Sequence, residues 1–176
     1  AIMQYPEILN VSNSTSVPGE ITNVTIINPE GVPADQSPTY VILSGDYEFL
    51  DVMQMEMAEG RYFSKDFPSD SLACVINEET ARSLGWEEPL GKTFRFPGAP
   101  DNPPMEVIGV VKDFHMRSLH QAIEPLMMTF PNFGLGPYVS IKTQGKDIQG
   151  TLQILLEQWS TIYPNHPVME YSFLDE

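Results

Sequence analysis

The chain has 176 residues, 41% of them hydrophobic and 19% charged, an ordinary globular composition. Twenty-four acidic residues against nine basic ones give a net charge of -15. That charge repels nucleic acid and anionic membrane surfaces, so a nucleic-acid role is excluded. The single cysteine, Cys74, excludes an intramolecular disulfide and a cysteine-based zinc site.

A chain this long supports one domain or two small lobes and buries roughly 70% of its unfolded surface. It has no run of about 18 apolar residues of the kind that spans a bilayer. The start, Ala1 to Pro6, lacks the basic region and apolar core of a signal peptide. Export, if it occurs, is expected to depend on sequence outside the chain.

In chain order, Ile8 to Ser16 and Ile21 to Ile27 read as strands separated by the turn Val17-Pro-Gly19. Neither face of the second run is purely apolar, which suits an edge or peripheral strand. The Asn-x-Ser/Thr triplets at Asn10, Asn13 and Asn23 are read as edge and turn chemistry rather than glycan acceptors. Asn28 to Pro38 is a loop, and Thr39 to Leu43 a strand. Asp46 can cap a short helix through about Met53, with Phe49, Leu50 and Met53 on one face. The alternation of Met53, Met55 and Met57 is read as core packing rather than soft-metal ligation.

Leu72 to Ile76 is a buried strand, and within it Cys74 is expected to be a small buried hydrophobe. Asn77 is the natural N-cap of the next helix, with Glu78 and Glu79 in its first turn and Gly85 at its end. Thr93 to Phe96 is a strand, 97–104 a hairpin-like connection, and Met105 to Lys112 the next strand. Leu126 to Phe130 and Tyr138 to Thr143 are strands flanking a hinge candidate at Pro131 to Pro137. The clearest helix runs from Asp147, its N-cap, to Tyr163, and Pro164 stops it. Its apolar residues Ile148, Leu152, Leu155, Leu156, Trp159, Ile162 and Tyr163 keep the spacing of one face, predicted to pack on a sheet with Trp159 most buried. Val168 to Phe173 would be the last strand. These mixed elements lack βαβ regularity, so the fold class is α+β.

Reaction chemistry finds little support. His115 and His120 are five residues apart, about 140° around a helix, so they do not make a ligand pair, and no metal is expected. His166 reads as a turn residue, and no nucleophile elbow or Walker loop is present. Carboxylate pairs such as Glu78/Glu79 and Glu87/Glu88 follow from the acidic composition. No catalytic residue, cofactor or bound ATP is expected.

The most specific stretch runs from Val107 to Pro125: an apolar β-branched run, then Asp113, Phe114, His115, Leu119 and His120, ending at Pro125. Three further elements accompany it: Gly60-Arg61-Tyr62-Phe63-Ser64; Val75-Ile76-Asn77-Glu78 with Ala81, Leu84-Gly85 and Pro89-Leu90-Gly91-Lys92; and Tyr171 to Glu176. In this order they resemble the extracytoplasmic periplasmic core domain of FtsX/MacB-like ABC transporter permeases, in the version common in Bacteroidetes-like bacteria. The resemblance spans about Gly45 to the C-terminus and is loose over the first forty residues. Neither a membrane helix nor the family's coupling segment is present, so the chain is expected to be an excised domain.

The resemblance implies a two-lobed body. A membrane-proximal porter-like lobe would be made from 1–52 and 137–176, with both chain ends on one side, and a distal lobe from 53–136. It also implies a non-catalytic role coupling cytoplasmic ATP hydrolysis to the export or extraction of cargo, or to a partner across the membrane. The partners would be the permease's own membrane helices, an ATPase subunit indirectly, an unknown cargo or periplasmic partner, and a second copy in the full transporter. Phe114, His115, Leu119 and His120 are the candidate partner or inter-lobe contact. The alternatives are a secreted or periplasmic solute-binding module, which needs a ligand cleft, and a hydrolase, which needs convergent polar residues in a pocket.

Overall fold

The computed structural model describes residues 2–21, 23–97, 103–117, 121–131, 136–165, 168 and 170–173. Ten strands and three α-helices are assigned among these residues. The strands are β1 (Ile8–Ser14), β2 (Val24–Ile26), β3 (Asn28–Pro29), β4 (Thr39–Ser44), β5 (Met57–Gly60), β6 (Ala73–Asn77), β7 (Thr93–Arg95), β8 (Met105–Val111), β9 (Leu126–Thr129) and β10 (Tyr138–Thr143). The helices are α1 (Phe49–Val52), α2 (Glu78–Ser83) and α3 (Ile148–Ile162). The chain is α+β, as its pattern predicts.

Eight strands form one mixed sheet in the order β2-β4-β9-β6-β8-β7-β3, with β5 also paired to β8. β4 lies parallel to β9, placing Val41 beside Leu126, and β6 lies parallel to β8. β6 and β9 are buried along their whole length, and β4 through its middle. Strands covered on both faces read as continuous apolar runs, which is why Tyr40 to Leu43 and Ala73 to Ile76 show no alternation in sequence.

The two faces hold two cores. Tyr40, Ile42, Cys74, Ile76, Val107, Val110 and Met127 form one with Ala81 of α2 and Phe94. Val41, Leu43, Val75, Val111, Leu126 and Met128 form the other with Phe49 of α1 and Phe63. Val107 and Val110 share a face although strict alternation would separate them. A register shift in the β6–β8 ladder carries Val107 beside Cys74 but Gly109 beside Val75, so one residue of β8 is extra. Cys74 is fully buried, and desolvation pushes its thiol well above the ordinary range. Met53, Met55 and Met57 all pack against the second core.

The chain divides into two compact units, Ala1–Val11 with Ile141–Glu176, and Ser12–Ser140. These bounds differ from the lobes expected at 52/53 and 136/137. The reason is long-range pairing: β2 and β4 belong to the same sheet as β9, β6 and β8, so residues 24–44 cannot be cut from residues 73–129.

The smaller unit contains α3 and parts of β1 and β10, which pair with each other. Gln144 N–H donates to the Glu7 carbonyl at 3.0 Å, and its side-chain amide donates to the Pro6 carbonyl at 2.7 Å. Asp147 caps α3 by accepting from the Gly150 N–H at 2.9 Å. The apolar face of α3 departs from expectation. Only Thr151 is buried, Trp159 is half-buried, and Ile148, Leu156 and Ile162 are exposed. Residues 168 and 170–173, expected as a last strand, are not in one. No helix among the described residues is long and apolar enough to cross a membrane.

Candidate partner-contact segment

The segment after β8 is fixed at both ends by the first turn of α2. At its start, the Asp113 carboxylate accepts from the Glu79 N–H at 2.8 Å and from the Arg82 guanidinium at 2.9 Å. The Asp113 N–H donates in return to the Glu78 carboxylate at 3.0 Å. Two acidic residues in a first turn are favoured by the helix's free N–H groups. Here one of them also holds a strand end. Arg82 pairs with Glu79 as well. Its hydrogen bond to Asp113, outweighing the effect of burial, holds the guanidinium above its ordinary range, with the charges of Asp113 and Glu79 adding to it.

At its far end the fastening is neutral and buried. Asn77 Oδ1 accepts from the Thr80 N–H at 3.1 Å, the expected N-cap bond, and also from the Leu126 N–H at 3.0 Å. Its amide nitrogen donates to the Glu124 carbonyl at 3.0 Å. Thr80 Oγ1 donates to the Leu126 carbonyl at 3.0 Å. One capping residue therefore ends β6, starts α2 and fixes the entry to β9. The capping pattern is visible in sequence; its bonds to Glu124 and Leu126, 47 and 49 residues away, are not.

Between these fastenings Phe114 packs against the second core and Met116 is buried, while His115 is half-buried. The Met116 carbonyl accepts from the Gly19 N–H at 2.9 Å, and Arg117 Nε pairs with Glu124 at 2.6 Å. Of the four predicted contact residues, Phe114 and His115 lie side by side here; Leu119 and His120 fall outside the described residues, as does His166. A crevice lined by Phe114, His115, Met116, Ile123 and Leu126 encloses about 10 Å³. That is room for about one water molecule. No group of three or more His, Cys, Asp or Glu among the described residues is placed to hold a metal ion.

A second constellation explains Gly60 to Ser64. Arg61 makes a two-pronged pair with Asp70, at 2.7 and 2.8 Å, and stacks over the Phe67 ring at 4.0 Å. The Ser64 N–H donates to the same carboxylate at 2.9 Å. Burial alone would raise the Asp70 carboxyl, but the Arg61 guanidinium and the Ser64 N–H hold it below the ordinary carboxylate range. Gly60 has φ 69°, and a Cβ there would come within 2.9 Å of the Gly109 Cα. Gly109 in turn leaves room for the Arg61 backbone. In the sequence, Asp70 is marked only as an acid nine residues after Arg61.

Asn13 answers two sequence readings. Its amide nitrogen donates to the Gly136 and Tyr138 carbonyls at 2.9 and 2.8 Å, and Oδ1 accepts from the Gly136 N–H at 2.6 Å. The triplet that would mark a glycan acceptor is thus a buried structural knot. It pins the far end of the hinge candidate, whose residues 132–135 lie outside the described ones.

The geometry is that of a strand-and-helix scaffold holding both ends of the segment after β8, with a crevice of about 10 Å³ among the described residues beside it. The family model of the MacB-like periplasmic core domain matches residues 3–157. The chain belongs to that family, and so is an extracytoplasmic domain of an inner-membrane ABC transporter permease.

Among solved structures, the periplasmic region of MacB from Actinobacillus actinomycetemcomitans is 18% identical with a TM-score of 0.66, over 93% of this chain and 71% of that one. A domain assigned to a permease protein of Porphyromonas gingivalis is 18% identical with a TM-score of 0.65, over 91% and 72%. The extracellular domain of the ABC-type transporter YknZ from Gram-positive bacteria is 20% identical with a TM-score of 0.65, over 96% and 85%. At these identities the likeness is one of fold. No curated protein matches the chain.

Proposed function

We propose that this domain is a non-catalytic relay: ATP hydrolysis on the cytoplasmic side moves the permease's membrane helices, and the domain passes that motion to cargo or to a partner. The observation that carries the reading is the two-point fastening of the segment after β8 to one helix end. A loop whose ends are tied to α2, with Phe114 packed against the second core and His115 half-buried beside it, moves with the sheet beneath it. Phe114, His115, Leu119 and His120 are then the contact through which motion leaves the domain. The membrane-proximal part is formed by both chain ends, and the acidic surface selects against anionic lipid as the contacted body. The crevice beside Phe114 has room for about one water molecule, so this segment offers the solute-binding and hydrolase readings no ligand cleft.

The test is the full permease with its ATPase, carrying Phe114→Ala and His115→Ala. Transport should fall at least tenfold while the melting temperature of the isolated domain drops only modestly, because both residues are partly solvent-exposed. Loss of transport that tracks a collapse in melting temperature would make the segment purely structural.

A further inference from the structure

We propose that Asp46 is a positioning residue that makes the joint between the two units rigid, so that motion of the smaller unit enters the sheet. The purpose of a rigid joint rests on the relay reading above; the inference adds the point of entry. The chain passes between the units twice, between Val11 and Ser12 and between Ser140 and Ile141. The first crossing lies within β1 and the second within β10, so both belong to one two-stranded ribbon. A lone two-stranded ribbon is marginally stable and strongly twisted. Rigidity at the crossing therefore has to come from what holds the ribbon on the side of the larger unit.

On that side β1 runs into five consecutive polar residues, Ser12 to Ser16, of which all but Thr15 are buried. Buried polar groups have to be hydrogen-bonded, and hydrogen bonds fix direction where apolar contact does not. Asp46, just beyond β4, supplies the bonds. One of its carboxylate oxygens accepts from the Ser12 hydroxyl at 2.7 Å and the other from the Asn13 N–H at 2.8 Å. The Asp46 N–H donates in return to the Asn13 carbonyl at 3.1 Å. The Asn13 side chain holds the start of β10 through the Gly136 and Tyr138 carbonyls. The approach there is close: a Cβ on Gly136 would come within 2.0 Å of the Ser14 carbonyl oxygen. One carboxylate thus fastens β1 directly and β10 through Asn13, beside both crossings.

From the joint the bonds continue into β4 and β9. The Ser44 carbonyl accepts from the Thr15 N–H at 2.9 Å, and the Ser44 N–H donates to Thr15 Oγ1 at 2.9 Å. The Ser44 and Thr129 hydroxyls share a bond of 2.8 Å. β4 and β9 are parallel, so the joint sits at the far ends of this pair, and Leu126, bonded to Asn77, sits at the start of β9. Leu126 and Thr129 are about 10 Å apart at the rise of a strand. β9 is buried along that length, and a close-packed interior shifts as a body rather than stretching. Motion entering at Asp46 and leaving beside Phe114 therefore has one buried strand between the two points.

Paired spin labels test the joint in the full permease with its ATPase, any other accessible cysteine being removed. The labels go on Leu72→Cys in the larger unit and Gln153→Cys in the smaller, both exposed sites, while Cys74 is fully buried and takes none. With a rigid joint the distance between labels should be the same with and without ATP. Asp46→Ala should at least double the width of the distance distribution and make its mean depend on ATP. Asp46 also accepts from the Glu48 N–H at the start of α1. Ser12→Ala leaves that bond in place and should widen the distribution about half as much. Ser14→Ala is the matched control, because it removes an equally buried hydroxyl whose bond, to the Ser16 carbonyl at 2.8 Å, stays within the run. Its distribution should match wild type.

A wild-type distance that shifts with ATP, an Asp46→Ala distribution no wider than wild type, or Ser14→Ala as wide as Ser12→Ala would each overturn the proposal. The transport test at Phe114 and His115 fails separately. If transport survives there while Asp46→Ala widens the distribution, the relay reading falls and the rigid joint stands. If transport is lost there while Asp46→Ala changes nothing, the joint alone falls.

Discussion

In the Ser12–Ser140 unit, β6 and β9 are buried end to end, and Phe49, Tyr40 and Phe94 are shielded almost completely. In the other unit α3, the longest helix among the described residues, buries only Thr151, and Leu156 and Ile162 stay open to water. Both segments are rich in apolar residues. What separates them is the number of directions from which each is covered. A strand inside a sheet has neighbours on two edges and two faces, whereas a helix with one apolar stripe needs a single surface laid against it. Apolar content therefore says little about how much stability each region supplies.

The largest expected effect lies in the sheet body. Phe49→Ala removes a fully buried ring from the second core and should cost about 3–5 kcal/mol. For a chain of this size that lowers the melting temperature by roughly 6–20 °C, at about 2–4 °C per kcal/mol. A loss as small as that of an exposed residue would mean that the core relaxes around the cavity, and the contrast between the units would narrow.

Next comes the Asn77 knot. Asn77→Ala loses the cap, typically worth about 1 kcal/mol, and the donor to the Glu124 carbonyl, so a total near 2 kcal/mol is expected. Asn77→Asp keeps the acceptor toward Thr80 and Leu126 but loses that donor, so it should recover only part of the loss. Full recovery by the aspartate, read in denaturant titrations, would show that the bond to Glu124 contributes nothing.

The Arg61–Asp70 pair adds a pH dependence. The Asp70 carboxyl lies below its ordinary value in the folded state, so it binds fewer protons there than in the unfolded chain. Its contribution is present above the unfolded carboxylate range, near pH 4, and is lost as pH falls through the folded value. Asp70→Asn should be less stable by roughly 1.5–3 kcal/mol near neutrality. The gap between wild type and variant should close on acidification. A gap that stays constant from pH 7 to pH 3 would assign the loss to packing.

Much of this was legible in the sequence, and for local reasons. Asn77 and Asp147 cap the helices they precede because capping needs only a short side chain and the next three residues. The runs around Val41, Val75 and Val107 announce strands because burial on both faces demands unbroken apolar residues. Pairing was not legible: nothing near Val41 indicates Leu126, so the cut at 52/53 passed through a sheet. The two-against-one count in β8 was hidden as well, since Gly109 reads as a weak strand residue until the Arg61 backbone is seen beside it. Of the candidate contact residues, Phe114 and His115 are placed side by side after a core strand. The reason that position is held, the double fastening to α2, depends on residues three to five dozen positions away.

The smallest effects test the helix. Its one-face spacing predicts a stripe packed on a sheet with Trp159 most buried, for which truncation would cost about 3–5 kcal/mol. Trp159 is instead half-buried and stacked on Tyr163 at 5.0 Å, so Trp159→Ala should cost about half of that. Leu156 is 38% exposed, and Leu156→Ala should fall within about 0.5 kcal/mol of wild type. Measured together in the isolated chain and compared with Phe49→Ala, the three should rank in the order of burial. If Leu156→Ala instead matches Phe49→Ala, the outer face of α3 is covered in solution and the contrast between the two units disappears. If Leu156→Ala is silent, the stripe is apolar surface that this chain leaves open, and its spacing reports helix formation without reporting burial.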